Sequence, residues 1–579
     1  MKVSDAIIGF LESKKITDVF CISGGGCIHL IDSLRKTAKI KTTCSHHEQA
    51  LLMAAEGYTK LSGQPCASVV TTGPGGTNTL TGLLGLWLDS VPSIIISGQV
   101  SSNQLSRGTG CRQIGDQEFN IIAVVTPMTK YAKMIEKPEE VLYELEKAYE
   151  IAVSGRPGPV WIDVPLDIQG SHVEKFKKYE KETRENNFSN NEENFSKFKT
   201  LLESSSRPLF VVGNGIRLAG CYSALNIFLE EMKIPVVTGP HSGVDAVDNI
   251  YEYYAGRIGI LGQITSNEIV QEADLLICLG TRLPVKMTGY NTANFSPHSK
   301  KVFVDIDEYE INKHDFDVDL KFVLHLRHFF DILFQNKYKV AISPWRKFVK
   351  EKRKKQIFYY PKHKQLREYV SYYYFINQAP EYFGDIPIIT SNGTAHVATL
   401  QMYQLNQHQR LFTNVGCASM GYGLPAAIGA CIGSKNQKII CIEGDGSIMM
   451  NLQELQTVIN HKLPIKIVLI NNQGYLSIRM TQKDFFNGKE FAVGPQSGVG
   501  LPSMQKIAKA FGLPYYQIKD NNSIENVLTE SIEAPGPCLI EVFTHPMERH
   551  EPKVVHKGVS EDGKIIPGDL IHMKITEGF

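Results

Sequence analysis

Short runs of apolar residues, each followed by a stretch with the spacing of an amphipathic helix, recur along most of the chain. Runs that are apolar at nearly every position are typical of strands buried on both faces of a parallel sheet. The helices between them provide the crossovers that parallel strands need. The pattern therefore predicts an α/β protein with doubly wound parallel sheets. The strand candidates are residues 18–22, 67–71, 93–96, 208–212, 273–279, 302–306, 438–442 and 465–470.

Two stretches interrupt this alternation and divide the chain into three segments. A charged stretch, residues 175–194, has the composition of an exposed linker, and a basic run, residues 346–355, precedes the last segment. A chain of 579 residues is too long for a single hydrophobic core. We therefore predict a first domain over residues 1–170, a central domain over 195–340, a third domain over 365–545 and a C-terminal extension over 546–579.

Composition narrows the class of protein. The formal net charge is +1, so the chain has no basic excess of the kind that binds nucleic acid. Its 11 cysteines form no CxxC pair, which argues against structural zinc and favours buried thiols in a reducing compartment. The first residues are typical of an amphipathic helix rather than a signal peptide, and no apolar stretch is long enough to span a bilayer. We expect a cytoplasmic protein without nucleic-acid or membrane partners.

Candidate chemistry stands at the ends of two predicted strands. Gly444-Asp445-Gly446-Ser447 and Asn471-Asn472-Gln473-Gly474 place an aspartate and an asparagine 27 residues apart, each at the end of an apolar run. Ligands of parallel sheets gather at the carboxyl ends of the strands, and carboxylate and amide oxygens are ligands for magnesium. Each segment taken alone is equally well explained as a turn. Together they predict a magnesium and diphosphate site, with a helix expected over residues 451–463 and a helix start after Ser447 that favours negative charge.

The paired segments resemble the metal-binding signature of the thiamine diphosphate enzymes, and the chain resembles their acetolactate-synthase-like branch over nearly its whole length. The resemblance implies a pyrimidine-binding first domain, a central Rossmann-like domain and a diphosphate-binding third domain. It also implies thiamine diphosphate and Mg²⁺ as cofactors. The implied metal ligands are Asp445, Asn472 and the carbonyl of Gly474, with Gly446 and Ser447 at the diphosphate.

The segment from Cys44 to Ala50 resembles the part of the family that activates the cofactor. By that resemblance Glu48 hydrogen-bonds the ring nitrogen N1′ of the aminopyrimidine and is the leading catalytic candidate. The alternative is a glutamate in the first turn of a helix, stabilised by the helix dipole. His29 is a second catalytic candidate for proton handling, and a capping or surface histidine explains it equally well. Gln117 is a third, because it lies in the segment that matches a phenylalanine–glutamine–glutamate motif of the family.

Further cofactor contacts are implied by resemblance alone. The segment from Asn414 to Ala427 resembles the part that bends the cofactor, with Met420 between its two rings and the carbonyl of Ala418 accepting from the 4′-amino group. A core methionine after a glycine turn is the alternative. The other implied contacts are Gly25, Pro74 and Asn78 on the pyrimidine side and Gly393 and Thr394 on the diphosphate side.

The chain departs from acetolactate synthases where the second substrate binds. The family's tryptophan, nine residues past the metal asparagine, is Thr481 here, and the phenylalanine of the motif named above is Asp116. We interpret Thr481 and Asp116 as substrate-pocket residues that bind a polar acceptor, since a buried polar group without a hydrogen-bond partner costs about 1–3 kcal/mol of binding free energy. Residues 282–286 lack both aspartates of the flavin-binding motif, which leaves FAD doubtful.

The resulting hypothesis is a decarboxylase and carboligase that takes a 2-oxo acid, most simply pyruvate, and transfers its acyl unit to a carbonyl acceptor. Three alternatives stay open: the acceptor is a second pyruvate, the acceptor is a keto-sugar nucleotide of surface-polysaccharide synthesis, or the enzyme only decarboxylates its substrate to an aldehyde. A non-catalytic paralogue is disfavoured, because it would have lost Glu48 or the metal ligands and this chain retains them. A nicotinamide dehydrogenase is also disfavoured, because it would need a full G-x-G-x-x-G motif and the residues after Gly213-Asn214-Gly215 do not complete one. In the family the two halves of the site come from different subunits, so a homodimer or homotetramer is implied.

Overall fold

Three six-stranded sheets follow one another in the part of the chain that the structure describes. The structure is a computed structural model, and it describes residues 1–181, 191–240, 243–559, 562 and 565–576. Within these three sheets the paired strands are parallel. This confirms the predicted α/β fold class with three parallel-sheet domains. Residues 182–190 of the predicted linker lie outside the described residues.

The first sheet is built around strands that are apolar on both faces. Its strands are β1 (Asp18–Cys21), β2 (Lys41–Cys44), β3 (Cys66–Val70), β4 (Ser93–Gln99), β5 (Tyr131–Met134) and β6 (Pro159–Pro165), in the order β2-β1-β3-β4-β6-β5. Every residue of β3, β4 and β6 is buried, as expected for inner strands covered by helices on both sides. The helices are α1 (Val3–Ser13), α2 (Ile28–Lys36), α3 (Glu48–Ser62), α4 (Pro74–Thr77), α5 (Leu80–Leu88), α6 (Ile121–Val125), α7 (Val141–Val153) and α8 (Leu166–Gly170).

The central sheet repeats this plan. Its strands are β7 (Pro208–Val212), β8 (Val236–Thr238), β9 (Tyr254–Arg257), β10 (Leu275–Leu279), β11 (Lys300–Asp305) and β12 (Leu320–Val323), in the order β12-β11-β10-β7-β8-β9. The inner strands β7 and β10 are again buried at every position. The helices are α9 (Asn191–Ser204), α10 (Gly215–Leu218), α11 (Tyr222–Met232), α12 (Ile264–Glu272), α13 (Val285–Thr288), α14 (Glu308–Asn312), α15 (Leu326–Gln335) and α16 (Ser343–Lys354).

The third sheet carries the candidate metal segments. Its strands are β13 (Ile388–Thr390), β14 (Leu411–Phe412), β15 (Ile439–Gly444), β16 (Ile465–Asn471), β17 (Tyr515–Ile518) and β18 (Cys538–Phe543), in the order β14-β13-β15-β16-β18-β17. The helices are α17 (Pro361–Gln365), α18 (Tyr372–Phe383), α19 (Thr394–Met402), α20 (Gly423–Gly433), α21 (Leu455–Asn460), α22 (Leu476–Phe485), α23 (Met504–Phe511) and α24 (Ile524–Glu533). The extension adds the short strands β19 (Lys553–Val554), β20 (Gly558–Val559), β21 (Ile565–Ile566) and β22 (Met573–Lys574).

The crossover between β15 and β16 differs from the prediction. A helix was expected over residues 451–463, but α21 covers only Leu455–Asn460, and a 3₁₀ turn over Ile448–Met450 follows Ser447. Asn451 interrupts the helix because its φ is −141°, and its Nδ2 donates to the carbonyl of Gly421 at 2.8 Å. The helix that starts after Ser447 is therefore a short 3₁₀ helix rather than the beginning of an α-helix.

The first and third domains pack directly against each other within the chain. Helices α3 and α20 approach so closely that a Cβ on Gly429 would lie 1.7 Å from the carbonyl oxygen of Ala54. A Cβ on Gly57 would lie 2.0 Å from the carbonyl oxygen of Ala426. The glycines are required there, since any side chain would force the helices apart. Among the described helices, none has the length and apolarity of a membrane span.

Candidate active site at the carboxyl ends of two sheets

The predicted metal ligands lie together at one edge of the third sheet. Asp445 directly follows β15, Asn472 directly follows β16, and these two strands are hydrogen-bonded neighbours in parallel register. Asp445 is 2 % exposed and accepts hydrogen bonds from the backbone N–H groups of Gly446 (2.8 Å) and Gly474 (3.1 Å). Burial raises the pKa of Asp445 to about 7, against the effect of these hydrogen bonds. A buried carboxylate of this kind is stabilised by a bound cation.

Asn472 supplies the polar atom that lacks a partner. Its Nδ2 donates to Thr394 Oγ1 at 3.3 Å, whereas its Oδ1 is buried and has no hydrogen-bond partner among the described residues. Buried polar atoms are rarely left unpaired unless an ion or water completes them. An unpaired amide oxygen next to a buried carboxylate fits a hard, oxygen-seeking cation such as Mg²⁺. Gly474 has a φ of +122°, and a Cβ there would lie 2.1 Å from the carbonyl oxygen of Val493, so the loop requires glycine.

The segments predicted to hold the diphosphate meet around Ser447. Its Oγ hydrogen-bonds Ser391 Oγ at 2.8 Å and accepts from the N–H of Gly421 at 2.8 Å, which joins three segments of the domain. Gly446 lies against an aromatic ring, because a Cβ there would be 2.5 Å from Tyr475 Cε1. Gly393, at the start of α19, has a φ of +77° and open space at its Cβ position. Gly393 thus leaves open space beside the start of α19, and the start of a helix favours an anion.

The segment predicted to bend the cofactor is held in an uncommon backbone conformation. Ala418 has a φ of +50°, and its carbonyl accepts a hydrogen bond from Asn392 Nδ2. Asn414 Nδ2 donates to Ser419 Oγ at 3.1 Å, and Met420 is half-buried. Positive φ at a non-glycine residue costs free energy and is tolerated where the surroundings fix the backbone.

A buried ion cluster of the first domain fixes the start of this segment. Lys60 Nζ lies 2.7 Å from Glu56 Oε1 and 2.6 Å from Asp89 Oδ2, and it donates to the carbonyl of Thr413 at 2.7 Å. Asp89 accepts from the N–H groups of Val415 (3.1 Å) and Gly416 (2.8 Å). Burial raises the pKa of Glu56 to about 7, and the charge of Lys60 opposes this. The cluster thus couples α3, which begins at Glu48, to the segment that carries Met420.

Glu48 stands where the sequence places it, at the first position of α3 after β2. The ring of His47 caps the helix by accepting from the N–H of Gln49 at 3.1 Å. Asn78 Nδ2 donates to Glu48 Oε2 at 3.0 Å, and a Cβ on Gly75 would lie 3.9 Å from Glu48 Oε1. The structure therefore brings Glu48 together with the loop that contains Pro74 and Asn78.

Two more predicted loops join this rim of the first domain. A Cβ on Gly73 would lie 2.5 Å from the carbonyl oxygen of Gln117, so the Pro74 loop packs on the loop of Asp116 and Gln117. Both Asp116 and Gln117 are exposed. The loop of Gly25 packs on the end of β3, since a Cβ on Gly24 would lie 2.6 Å from Thr71, while Gly25 itself has open space.

Two predicted residues lie apart from this rim. His29 is the second residue of α2 and faces α8, because a Cβ on Gly170 would lie 3.0 Å from His29 Nε2. Burial lowers the pKa of His29, and the charge of Lys2 lowers it further. Thr481 is exposed on α22 and donates to the carbonyl of Ser477 at 3.0 Å.

Comparison with known proteins finds relatives over nearly the whole length of the chain. Three models of thiamine pyrophosphate enzymes match it: the N-terminal TPP binding domain over residues 1–122, the central domain over 195–333 and the C-terminal TPP binding domain over 391–542. The large subunit of acetolactate synthase isozyme 2 of Escherichia coli K12 is 32 % identical over 562 residues, which covers 95 % of this chain and 96 % of the relative. Isozyme 1 of the same organism is 31 % identical over 557 residues (95 % of each chain), and the acetolactate synthase large subunit of Lactococcus lactis 30 % over 576 (97 % and 96 %).

The chain belongs to the thiamine pyrophosphate enzymes. It falls in their acetolactate-synthase-like branch, as the sequence motifs indicated, and it depends on thiamine diphosphate. The buried edge of the third sheet lies in the part of the chain that matches the C-terminal TPP binding domain, and the exposed rim of the first sheet lies in the part that matches the N-terminal TPP binding domain. The roles of the individual residues stay predictions that their positions support.

Sequence reasoning missed side chains that hold the metal loop of this enzyme. Arg479 is 4 % exposed, and its guanidinium donates to the carbonyls of Asn472 (3.1 Å), Gln473 (2.7 Å) and Pro546 (2.9 Å). His550 Nε2 lies 3.2 Å from Thr394 Oγ1, and burial lowers the pKa of His550 to about 4. The only signal for Arg479 was a cation shortly after the predicted metal asparagine, and the tail around His550 showed little periodicity.

Proposed function

We propose that the chain binds thiamine diphosphate and Mg²⁺, decarboxylates a 2-oxo acid, with pyruvate as the first candidate, and transfers the acyl unit to a carbonyl acceptor. The observation that carries this proposal is the unpaired, buried Oδ1 of Asn472 two residues from Gly474, whose N–H binds the buried carboxylate of Asp445. Large subunits of acetolactate synthase are similar over nearly their full length, which supports the same chemistry here.

The residues would divide the work between the two sides. When bound, the cofactor supplies a nucleophilic ring carbon that attacks the ketone of the 2-oxo acid. Asp445, Asn472 and the carbonyl of Gly474 would hold Mg²⁺ against the diphosphate. Glu48 would hold a proton at the ring nitrogen N1′ of the aminopyrimidine, and Asn78 fixes the carboxylate in place for that contact.

We further propose that the site forms between two subunits, so that a homodimer is the smallest active form. The segments that carry the two halves of the site also carry exposed apolar side chains, a feature of interaction surfaces. On the first domain these are Ile28, Ile114 and Phe119, and on the third Met449, Met450, Ile478, Phe485, Phe486 and Phe491. The described cysteines are all free thiols, which supports a cytoplasmic location.

A second candidate function concerns the acceptor. Thr481 occupies the position of the family's tryptophan with a small, exposed hydroxyl side chain, and Asp116 is an exposed carboxylate on the other half of the site. Both features favour a hydroxylated acceptor over a second pyruvate. A keto-sugar nucleotide is the acceptor that we propose as the alternative.

Product identification tests the proposal. The protein with thiamine diphosphate, Mg²⁺ and pyruvate alone is expected to release carbon dioxide and form acetolactate. Slow turnover that a sugar ketone accelerates would support the alternative acceptor, and acetaldehyde alone would show a simple decarboxylase. Absence of carbon dioxide release from pyruvate and from other 2-oxo acids, with cofactor binding verified, would refute the proposed function.

A further inference from the structure

A pocket separate from the candidate active site lies between the central and third domains. Its volume is about 360 Å³. It is bounded by the end of β9 and the start of α12 on the central domain, by α18 and the segment after α19 on the third, and by the carboxyl end of α16. The side chains that define its chemistry are Asn249, Tyr254, Arg257, Gln263, Arg353, Asn377, Glu381, Gln404 and Asn406.

Arg257 is buried on the wall of this pocket. It is 1 % exposed, and its guanidinium donates to the carbonyls of Leu400 (3.0 Å) and Tyr403 (2.6 Å) and to Asn249 Oδ1 (2.9 Å). The two carbonyls belong to the carboxyl end of α19, where a cation is favoured. Its Nε, however, is buried and has no hydrogen-bond partner among the described residues. The Nε–H group of this buried guanidinium is therefore free to donate a hydrogen bond to a bound ligand.

Arg353 brings a second guanidinium to the same pocket. It lies in the last turn of α16, within the basic run that the domain organisation left unexplained, and its Cζ is 5.0 Å from the centroid of the Tyr254 ring. Neither Arg257 nor Arg353 forms an ion pair within the described part of the chain. Burial lowers the pKa of Arg353, and the charge of Arg257 lowers it further, so the two cations repel each other across the pocket.

Helix capping offsets only part of this charge. Arg257 lies at the carboxyl end of α19 and Arg353 at the carboxyl end of α16, and each helix end carries about half a negative charge against a full positive one. The carboxylate that lines the pocket, Glu381, is exposed on α18 and forms no ion pair among the described residues. Like-charged groups held together without a counter-ion are costly unless an anion joins them. The missing component is therefore negatively charged.

We propose that this pocket binds the phosphate group of a small phosphorylated metabolite, held by Arg257 Nε and the guanidinium of Arg353. Phosphate matches the fork of a guanidinium and accepts several charge-assisted hydrogen bonds at once. The amide side chains of Asn377 and Gln404 add donors around the rest of the ligand. The site is separate from the cofactor's diphosphate site, although the helix α19 runs between them, from Thr394 to the carbonyls that Arg257 holds.

Calorimetric titration of the holoenzyme with inorganic phosphate tests the site. The enzyme is loaded with thiamine diphosphate and Mg²⁺ so that the cofactor's own diphosphate site is filled, and excess metal is removed. We expect saturable binding of phosphate and little binding of acetate. Arg353→Gln is expected to weaken phosphate binding about tenfold or more, because it removes charge-assisted hydrogen bonds. Glu381→Gln is expected to tighten it.

The matched control is Lys354→Gln, which removes one positive charge from the next, exposed residue of the same helix and should leave phosphate affinity unchanged. Arg257 is not substituted, because it also caps α19. Absence of phosphate binding to the wild-type holoenzyme, equal weakening by Lys354→Gln and Arg353→Gln, or equal binding of acetate would each overturn the proposal. Crystals soaked in phosphate should show the anion within hydrogen-bond distance of Arg257 Nε, and an anion elsewhere would contradict it.

Discussion

The two halves of the active site are built in opposite ways. On the third domain, Asp445 and Asn472 are 2 % and 4 % exposed, and every hydrogen bond described for their side chains is made within that domain. On the first domain, Glu48 is half-buried, and Asp116 and Gln117 are exposed. The half that carries the predicted metal ligands, here called the closed half, is thus buried within a single chain, whereas the half that carries Glu48, the predicted activating residue, is more exposed and is called the open half. This is the difference expected if a second subunit closes the first half.

The halves resemble each other below their rims, since each rests on a buried carboxyl group. Glu443 accepts from the N–H of Leu424 at 3.2 Å, and burial raises its pKa. Asp163 accepts from Ser97 Oγ at 2.6 Å and from Gln99 Nε2 at 3.1 Å, and Gln99 in turn accepts from Thr72 at the start of the Pro74 loop. Buried hydrogen bonds therefore support the loops of the open half from below, and only the exposed surface of these loops would need a second subunit to cover it.

Glu48→Gln should distinguish the role of the open half in catalysis from the role of the closed half in cofactor binding, with the largest effect that we expect. The glutamine keeps the size of the side chain and can still bond Asn78, but it cannot exchange a proton with the aminopyrimidine. We expect carbon dioxide release from pyruvate to fall by about 10²–10⁴-fold, as for loss of a general acid–base group, while the affinity for thiamine diphosphate stays within about twofold. Initial rates and cofactor titration by fluorescence quenching measure both. Unchanged turnover would refute the assigned role.

Asp163→Asn tests the foundation of the open half through pH. Burial raises the pKa of Asp163 from 3.8 to about 7, so between these values the folded state binds a proton that the unfolded state has lost. The free energy of unfolding therefore falls as the pH rises through this window, by about 4 kcal/mol in all. The variant removes this loss and should be more stable than the wild type at pH 8, with little difference at pH 4.

Thermal unfolding midpoints at several pH values measure this effect. Asp317→Asn, an exposed aspartate of the central domain, is the control and should follow the wild type at every pH. Parallel curves for Asp163→Asn and the wild type would show that the carboxyl group is ionised in the folded protein.

Asn472→Ala is the counterpart of Glu48→Gln on the closed half. It removes the unpaired amide oxygen, so we expect the affinity for Mg²⁺ and thiamine diphosphate to fall by about 10–100-fold, with much of the activity restored at saturating cofactor. The pattern is the reverse of that for Glu48→Gln. Cofactor affinity equal to that of the wild type would remove Asn472 from the metal site.

The closed half was the easier one to predict from sequence. Its strands are continuous apolar runs, and residues that follow adjacent parallel strands must meet at one edge, so the proximity of Asp445 and Asn472 follows from local patterns. The partners of these residues could not be predicted in the same way. Arg479 acts through carbonyl groups, which leave no trace in the sequence, and His550 reaches Thr394 from 156 positions away.

For the open half, the sequence predicted where the residues lie along the secondary structure but not how exposed they are. Glu48 begins α3 as expected, and its hydrogen bond with Asn78 shows that the two segments are in contact. No pattern in the sequence indicated that Asp116 and Gln117 are exposed. The helix predicted over residues 451–463 was wrong in its bounds because Asn451 bonds a distant carbonyl instead of continuing the helix. Tertiary hydrogen bonds of this kind override local preference.

The smallest effect that we expect concerns the acceptor, where the two halves meet. Thr481→Trp introduces the bulky aromatic side chain of the family at the proposed acceptor pocket. Use of a hydroxylated ketone should then fall about tenfold relative to a second pyruvate, which is the scale of discrimination by pocket size. Thr481→Val is the matched control, since it removes the hydroxyl group and keeps the space. Product ratios with pyruvate and a sugar ketone in competition measure both variants. If valine and tryptophan change the ratio equally, the hydroxyl group selects the acceptor. If neither changes it, Thr481 lies outside the acceptor pocket, and the exposed Asp116 on the open half becomes the residue to test.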